Sequence, residues 1–133
     1  MMMPMGTNLA GFELSVRDLE RAEAFYVTSL GLRVRAREDH GFFRESQLVG
    51  EGDSAALLLV CATDPGGTTG TPLESTKVVL SVDDVRSLYA SALEAGAEGD
   101  QAPQHDAASN VWFAQLCDLD GHHVLLVQGH RQT

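Results

Sequence analysis

The sequence predicts an α+β protein made of two βαβββ modules in tandem, whose half-open sheets form a cleft. Three observations predict this fold: strand-sized apolar segments, one helical pattern in each half, and a motif that recurs along the chain. A length of 133 residues is that of one ordinary domain. We therefore expect a single domain, 1–133, with a first module at 9–63, a linker at 64–75 and a second module at 76–128.

The first half begins with a strand and a helix. Residues 12–16 alternate around polar positions, which is typical of a half-buried strand. Asp18 is placed to cap a helix whose apolar residues recur at helical spacing as far as Leu30, and Gly31 suits its end. Strands are then expected at 33–37, 42–49 and 55–62, with a turn at 50–53 between the last two.

The second half restarts the same pattern after the segment DPGGTTGTPLES at 64–75, whose composition is typical of a linker. A strand at 77–82 precedes a helix that Asp83 or Asp84 caps and Gly96 ends. Residues 99–110 are polar and predict a loop. A strand at 111–117, a tight turn DLDG at 118–121 and a strand at 124–128 complete the module.

An internal repeat relates the two halves. The residues LSVRD at 14–18 recur as LSVDD at 80–84, a shift of 66, and the same shift places LLV at 58–60 on VLL at 124–126. Because one shift aligns the first and the last strand, we expect both halves to share one fold. Neither half-open sheet buries both faces alone, so the halves should pack together, with helices on the outer faces and a cleft inside.

Composition limits the partners. Nineteen acidic against nine basic residues give a net charge of −10 and a pI near 4.7, which disfavours nucleic acid. This charge either attracts cationic small molecules or only keeps the protein in solution. No apolar run approaches the roughly 20 residues that span a bilayer, and the N-terminus lacks the pattern of a secretory signal. We expect no membrane partner and a cytoplasmic location, with Cys61 and Cys117 as free thiols.

Three segments carry a resemblance to a known family. LSVRDLERAEAFYVTSLGL at 14–32, LSVDDVRSLYASALEAGA at 80–97 and DLDGHHVLLV at 118–127 resemble the vicinal oxygen chelate superfamily. This superfamily includes glyoxalases, extradiol dioxygenases, fosfomycin-resistance enzymes and bleomycin-resistance proteins. The resemblance covers residues 9–128 and implies the glyoxalase/bleomycin-resistance fold, but many activities share that scaffold.

The resemblance also implies where a metal ion would bind. Metal-using members carry one ligand on each of four strands: His, Glu, His or Gln, and Glu. Counting seven residues back from each capping aspartate places two of these positions at Gly11 and Lys77, and the final-strand segments place the others at Leu59 and Leu125. None of these side chains offers a lone pair to a cation, so we expect no metal site and no cofactor. A displaced site built on Glu13 is the alternative.

The candidate ligand-binding residues are Glu13, Leu59, Lys77, Trp112 and Leu125. Glu13 shares a strand face with Gly11, so its carboxylate either grips a cationic ligand or lies hydrated at the rim of the cleft. Lys77 is the only lysine, and it pairs either with an anionic ligand group or with Glu13. Either Trp112 or Phe113 faces the cleft, and that ring either stacks on a flat ligand or packs in the core. The two leucines would form a dry floor.

The histidines are interpreted as structural or surface residues. His122 and His123 are adjacent on a strand, so they point to opposite faces and do not chelate one ion together. His40, His105 and His130 fall in predicted loops or at the tail, which favours ordinary surface positions.

We predict a metal-free binding protein that resembles bleomycin-resistance proteins and sequesters a cationic or aromatic compound without turnover. The resemblance implies a homodimer with the ligand cleft near the subunit contact. One alternative is a metal-dependent glyoxalase-like lyase or dioxygenase with a displaced metal site. The other is a non-catalytic partner subunit whose cleft is vestigial.

Overall fold

The computed structural model describes residues 9–52, 55–63 and 76–129, so the predicted linker at 64–75 lies outside the described residues. The first module forms a four-stranded sheet in the order β1-β4-β3-β2. Its strands are β1 (Gly11–Ser15), β2 (Arg33–Asp39), β3 (Phe43–Val49) and β4 (Ala56–Ala62). Strand β1 runs parallel to β4, and the other neighbours are antiparallel.

The second module repeats this topology in a sheet of order β5-β8-β7-β6. Its strands are β5 (Lys77–Ser81), β6 (Glu98–Asp106), β7 (Val111–Cys117) and β8 (His123–Gly129). The parallel pair is again the first and last strand of the module, β5 and β8. The predicted α+β class and the tandem βαβββ arrangement are confirmed.

Each helix begins directly after a predicted capping aspartate. In the first module α1 (Leu19–Ala24) continues as a π-helical segment (Phe25–Ser29), and the Asp18 carboxylate accepts a hydrogen bond from the Arg21 backbone N–H. In the second module α2 (Val85–Glu94) is capped by Asp84, which accepts from the Ser87 N–H. Both helices end near a glycine of positive φ, +84° at Gly31 and +108° at Gly96.

The predicted polar loop at 99–110 is wrong for residues 99–106, and only residues 107–110 form a turn. Residues 98–106 form β6, the outermost strand of the second sheet, which pairs with β7 through two irregularities of register. Almost every residue of this strand is exposed, so neither face needs apolar side chains and the period-two signal is missing. Pro103 is tolerated there because an edge strand leaves one side of its backbone unpaired.

The repeat contains one more residue before its last strand than the sequence motif indicates. Gly11 pairs with Ala56, whereas Lys77 pairs with His123. The first strands are therefore related by a shift of 66 and the last strands by 67. The match of LLV to VLL at a shift of 66 is wrong by one residue, because a run of leucine and valine fits either register. A one-residue slip moves every side chain to the other face of the sheet.

One hydrophobic core joins the two modules on the helix-facing sides of their sheets. Its fully buried members include Tyr26, Leu48, Leu59, Leu116, Val124 and Leu126. Burying each leucine there contributes about 1.5–3 kcal/mol of transfer free energy. The core therefore fixes which face of each strand points away from the helices, and that opposite side is called the open face below.

Side chains of the last turn fasten the second module to the end of β1. His122 is almost buried, and its Nε2 lies 2.8 Å from the Ser15 carbonyl oxygen, which makes that nitrogen the donor. The Arg17 guanidinium pairs with Asp120 at 2.9 Å. His122 therefore has a structural role at the junction. Among the described helices, none has the length and apolar character needed to cross a bilayer.

Candidate functional site

The open faces of the two sheets form the candidate site. In the first sheet the open face carries Gly11, Glu13, Ser15, Glu45, Gln47, Ala56, Leu58 and Val60. In the second it carries Lys77, Val79, Ser81, Phe113, Gln115, Cys117, His123, Leu125 and Val127. These assignments follow from the strand register and from the alternation with core residues on the helix-facing side.

The open face of the second sheet is mainly apolar at its centre. Val79 is 60% exposed and lies beside Leu125, which is half-buried. The next row places Phe113 beside Val127. Leu125 therefore lies where the sequence places it, on a surface of the kind that covers small molecules or a partner chain.

The open face of the first sheet is mixed apolar and acidic. Glu13 is exposed beside Leu58, and Glu45 is only 9% exposed beside Val60. Gln47 connects this acidic group to a cation: its Nε2 donates to Glu45 at 2.7 Å, and its Oε1 accepts from Arg35 at 2.9 Å. The first sheet therefore carries carboxylates on its open face, whereas the open face of the second sheet is mainly apolar.

Lys77 lies exposed at the start of β5, next to His123. Within the described ranges no ion pair joins Lys77 to Glu13, so the intramolecular pairing considered from the sequence is not formed. His123 Nδ1 lies 3.6 Å from the Cys117 Sγ. Burial raises the pKa of the Cys117 thiol, and Asp100 raises it further, so this pair does not provide an activated thiolate.

Leu59 does not lie on the open face. It is fully buried, pairs with Leu14 and Ser46, and faces the helical layer. The assignment of Leu59 as a ligand-binding residue is therefore wrong in its placement, because it used the shift of 66 for the last strand. The structure puts Leu58 at the position that corresponds to Leu125.

Trp112 also faces the helical layer. The Arg86 guanidinium of α2 lies 4.1 Å from the centre of its ring, and the His105 ring is 5.3 Å away. Phe113 is the aromatic residue on the open face, so Phe113 and not Trp112 lines the candidate site. The sequence could not separate these two because adjacent aromatic residues satisfy either register.

The four positions that the resemblance assigns to metal ligands lie on the open faces, at Gly11, Leu58, Lys77 and Leu125 once the register of β4 is corrected. A glycine, two leucines and a lysine do not fit a divalent ion, which needs imidazole, carboxylate or thiolate donors. The backbone adds a steric reason at Gly11, where a Cβ atom would lie 2.6 Å from the Ala56 carbonyl oxygen. No histidine can replace Gly11 unless the parallel strand pair shifts.

The sequence interpretation missed a cluster of possible ligands at the β2–β3 hairpin. One donor atom from each of Glu38, His40 and Glu45 lies within 4.8 Å of the others. The sequence interpretation makes His40 an ordinary surface residue. The signal was present: Glu38 and His40 are two residues apart, and a hairpin centred near residues 41–42 returns Glu45 opposite Glu38.

A groove of about 410 Å³ runs beside this cluster, between α1 and strands β2 and β3. Glu38 and Glu45 border it, together with Glu23 and Arg37. Arg37 hydrogen-bonds Glu23 at 2.6 Å and lowers the pKa of that carboxyl. Charged residues make up most of the lining of this groove, unlike the open face of the second sheet.

Comparison with solved structures supports the fold. A glyoxalase I mutant from Zea mays is 24% identical with a TM-score of 0.74, covering 90% of this chain and 46% of that one. This chain therefore spans about half the length of the maize enzyme. TnmS3, an antibiotic binding protein from Streptomyces sp. CB03234, is 25% identical with a TM-score of 0.70, covering 96% and 100%. A glyoxalase family protein from Bacillus cereus is 15% identical with a TM-score of 0.78, covering 98% and 100%.

Sequence comparison gives the family. No curated protein matches the chain. The model of the Glyoxalase/Bleomycin resistance protein/Dioxygenase superfamily matches residues 8–126, which is most of the sequence. The chain belongs to the Glyoxalase/Bleomycin resistance protein/Dioxygenase superfamily.

Proposed function

We propose that this protein binds a small cationic or aromatic compound on its open faces and releases it unchanged, as bleomycin-resistance proteins do. One observation carries the proposal: the open faces combine apolar surface with carboxylates, while none of the four family metal positions holds a metal-binding side chain. Such a surface recognises a ligand but lacks the Lewis acid that the family's enzymes use at those positions.

The apolar part of the ligand would lie against Val79, Leu125 and Phe113. These side chains are half-buried or exposed on a regular strand surface, so a flat compound covers them without rearranging the backbone. Phe113 supplies an aromatic ring for stacking.

The cationic part would be attracted by the acidic first sheet. Glu13 is exposed, and it forms no ion pair with another described residue. The chain as a whole carries a net charge of −10. A negative field raises the local concentration of cations, and a carboxylate contact fixes their orientation. Lys77, at the edge of the second sheet, would contact any anionic group of the same ligand.

The comparisons support this class of function without identifying the ligand. TnmS3, whose printed description is an antibiotic binding protein, matches this chain along almost its whole length. We further propose that the chain forms a homodimer, since a second copy would cover the exposed apolar rows and complete the cleft. A cytoplasmic location is in keeping with two free thiols, and neither a membrane nor nucleic acid is proposed as a partner.

The test is calorimetric titration of the untagged protein with a panel of cationic aromatic compounds, bleomycin-class drugs included, in buffer containing EDTA. We expect saturable binding by at least one compound, which is recovered chemically unchanged. Glu13→Gln and Leu125→Asp should weaken binding, whereas Glu94→Gln, an exposed substitution on α2, should not. Light scattering in the same buffer should give a dimer. The absence of saturable binding by every compound of the panel in this buffer, or conversion of a bound compound, would contradict the proposal.

A metal-dependent lyase or dioxygenase with a displaced metal site remains the second candidate. The donor cluster Glu38, His40 and Glu45 is the observation that favours it. This candidate predicts turnover that a chelator abolishes and that an added divalent ion restores. Metal binding at the hairpin without turnover would leave the binding function in place.

A further inference from the structure

We propose that Glu38, His40 and Glu45 bind one divalent transition-metal ion at the β2–β3 hairpin. The site is separate from the four family positions, which lie on β1, β4, β5 and β8. It also does not depend on the proposed function, which assigns the contact with the cationic ligand to Glu13 on β1 and not to Glu38, His40 or Glu45.

The donor atoms are close to the spacing that one ion requires. A carboxylate oxygen or an imidazole nitrogen binds zinc at about 2.0–2.2 Å, so donors around one ion lie about 3–4 Å apart. The three ligand atoms already lie within 4.8 Å of one another. Glu38 and His40 are exposed, so small side-chain rotations bring them onto an ion held by the more buried Glu45.

The charge arrangement favours a cation between the strands. Glu38 lies directly opposite Glu45 in the antiparallel pair, a placement in which like charges repel. Glu45 is 9% exposed, so its carboxylate has lost most of its contact with water. Among the described residues the ion pair to this pair of carboxylates comes from His40, whose Nε2 lies 3.5 Å from the Glu38 Oε1.

The neighbouring arginines do not neutralise these carboxylates. Arg37 and Arg44 belong to the same two strands but point to the opposite face. There Arg44 pairs with Glu20 of α1 at 2.6 Å, and Arg37 pairs with Glu23. Arg35 reaches only as far as Gln47. Two carboxylates and one imidazole are therefore left for a divalent ion to bind.

The hairpin also orients the ligands. The His40 ring stacks on Phe43 at 4.5 Å between centres with an interplanar angle of 20°, and the His40 backbone N–H donates to the Phe43 carbonyl at 2.9 Å. Gly41 makes the turn at φ +89°, and its N–H donates to the Asp39 carboxylate at 2.9 Å. Gln47 holds Glu45 by the 2.7 Å hydrogen bond, which is the kind of outer contact that orients a ligating carboxylate.

The ligand types select the class of ion. One imidazole and two carboxylates suit Zn²⁺, Mn²⁺, Fe²⁺, Co²⁺ or Ni²⁺, whereas ions that need thiolate or thioether ligands would be excluded. Three protein ligands leave coordination positions for water or an exogenous molecule. Glu38 and His40 are exposed, so such molecules reach the site directly from solvent.

The proposal is tested by titrating untagged, chelator-treated protein with Zn²⁺ and separately with Co²⁺, using calorimetry and the visible spectrum of bound cobalt. We expect one ion per chain. The cobalt spectrum should lack a thiolate charge-transfer band, which separates this site from one that uses Cys117 and His123.

Variants assign the site. His40→Ala and Glu45→Gln should each weaken binding at least tenfold, and Gln47→Leu should weaken it about tenfold through the orientation of Glu45. The matched controls His123→Ala and Glu94→Gln should bind like the parent chain, and circular dichroism should show that every variant is folded. Stoichiometric binding that His40→Ala and Glu45→Gln leave unchanged would overturn the proposal, and so would the absence of saturable binding.

Discussion

The phenol of Tyr26 donates a hydrogen bond to the carboxylate of Asp118. Tyr26 is fully buried in the helical segment of the first module, and Asp118 precedes the last strand of the second. The other Asp118 oxygen accepts from the backbone N–H groups of Asp120 and His122. This contact joins the two modules through a buried carboxylate whose lone pairs are satisfied from both sides.

Replacing Tyr26 by phenylalanine should lower the free energy of unfolding by about 1.5–3 kcal/mol, because a buried carboxylate loses one hydrogen-bond donor. Urea denaturation followed by circular dichroism measures the change. Tyr89→Phe is the matched control, since Tyr89 is only partly buried and the described residues show no hydrogen bond to its hydroxyl. Equal effects of the two substitutions would contradict the structural role of the Tyr26 contact.

The same contact predicts a loss of stability in alkali. Burial raises the pKa of Tyr26 well above its usual value of 10.0, and the charge of Asp118 raises it further. The folded state thus holds the phenol proton more tightly than the unfolded chain, so this stabilisation is fully present below about pH 10 and declines as the pH rises toward the folded pKa. Above pH 10 the parent protein should lose stability more steeply than Tyr26→Phe. If the free energies of unfolding of the two proteins fell equally with pH above 10, the raised pKa of Tyr26 would not contribute to stability.

Adjacent leucines on β4 test the register of the sheet. Leu59→Ala should lower the free energy of unfolding by about 2–5 kcal/mol because it leaves a cavity in the core. Leu58→Ala should cost less than about 1.5 kcal/mol, because that side chain lies half-buried on the open face. Chemical denaturation of the two variants gives the comparison. A larger loss for Leu58→Ala would show that the strand presents the other face to the helices.

Trp112 should report on α2 rather than on the ligand. Its ring lies under the Arg86 guanidinium, a contact that contributes about 0.5–1 kcal/mol at an exposed site. Arg86→Gln should change the fluorescence emission of Trp112, whereas a compound bound on the open faces should leave that emission almost unchanged. Strong quenching of Trp112 by a bound compound, with Arg86 unaltered, would place the binding site on the helical side.

The sequence predicted the fold well where a local signal, such as a helix cap, occurs beside the apolar pattern of a segment that packs in the core. Asp18 and Asp84 cap the two helices because each follows a strand and precedes an apolar helical pattern. Strand β6 was missed because an exposed edge strand carries no apolar alternation, and its pairing with β7 alone defines it. The π-helical segment at Phe25–Ser29 left no separate trace in the helical spacing.

The candidate site was only partly predictable. Glu13, Lys77 and Leu125 lie on the open faces, because counting from a capping aspartate or along a strand preserves the face. Leu59 and Trp112 failed because β4 and β7 each offer two adjacent apolar residues, and only hydrogen-bonded register decides which one faces the core. The Glu38, His40 and Glu45 cluster depends on the turn between β2 and β3, which the periodicity of neither strand reveals.

The most direct measurement is an anomalous-difference map from a crystal of this protein grown with excess Zn²⁺ and no chelator. The account predicts no zinc within bonding distance, about 2.0–2.3 Å, of any atom of Gly11, Leu58, Lys77 or Leu125. Zinc at Glu38, His40 and Glu45 agrees with the metal site proposed at the β2–β3 hairpin and leaves this prediction intact. An ion at full occupancy held by β1, β4, β5 and β8 would contradict the claim that these open faces bind their ligand without the family's metal.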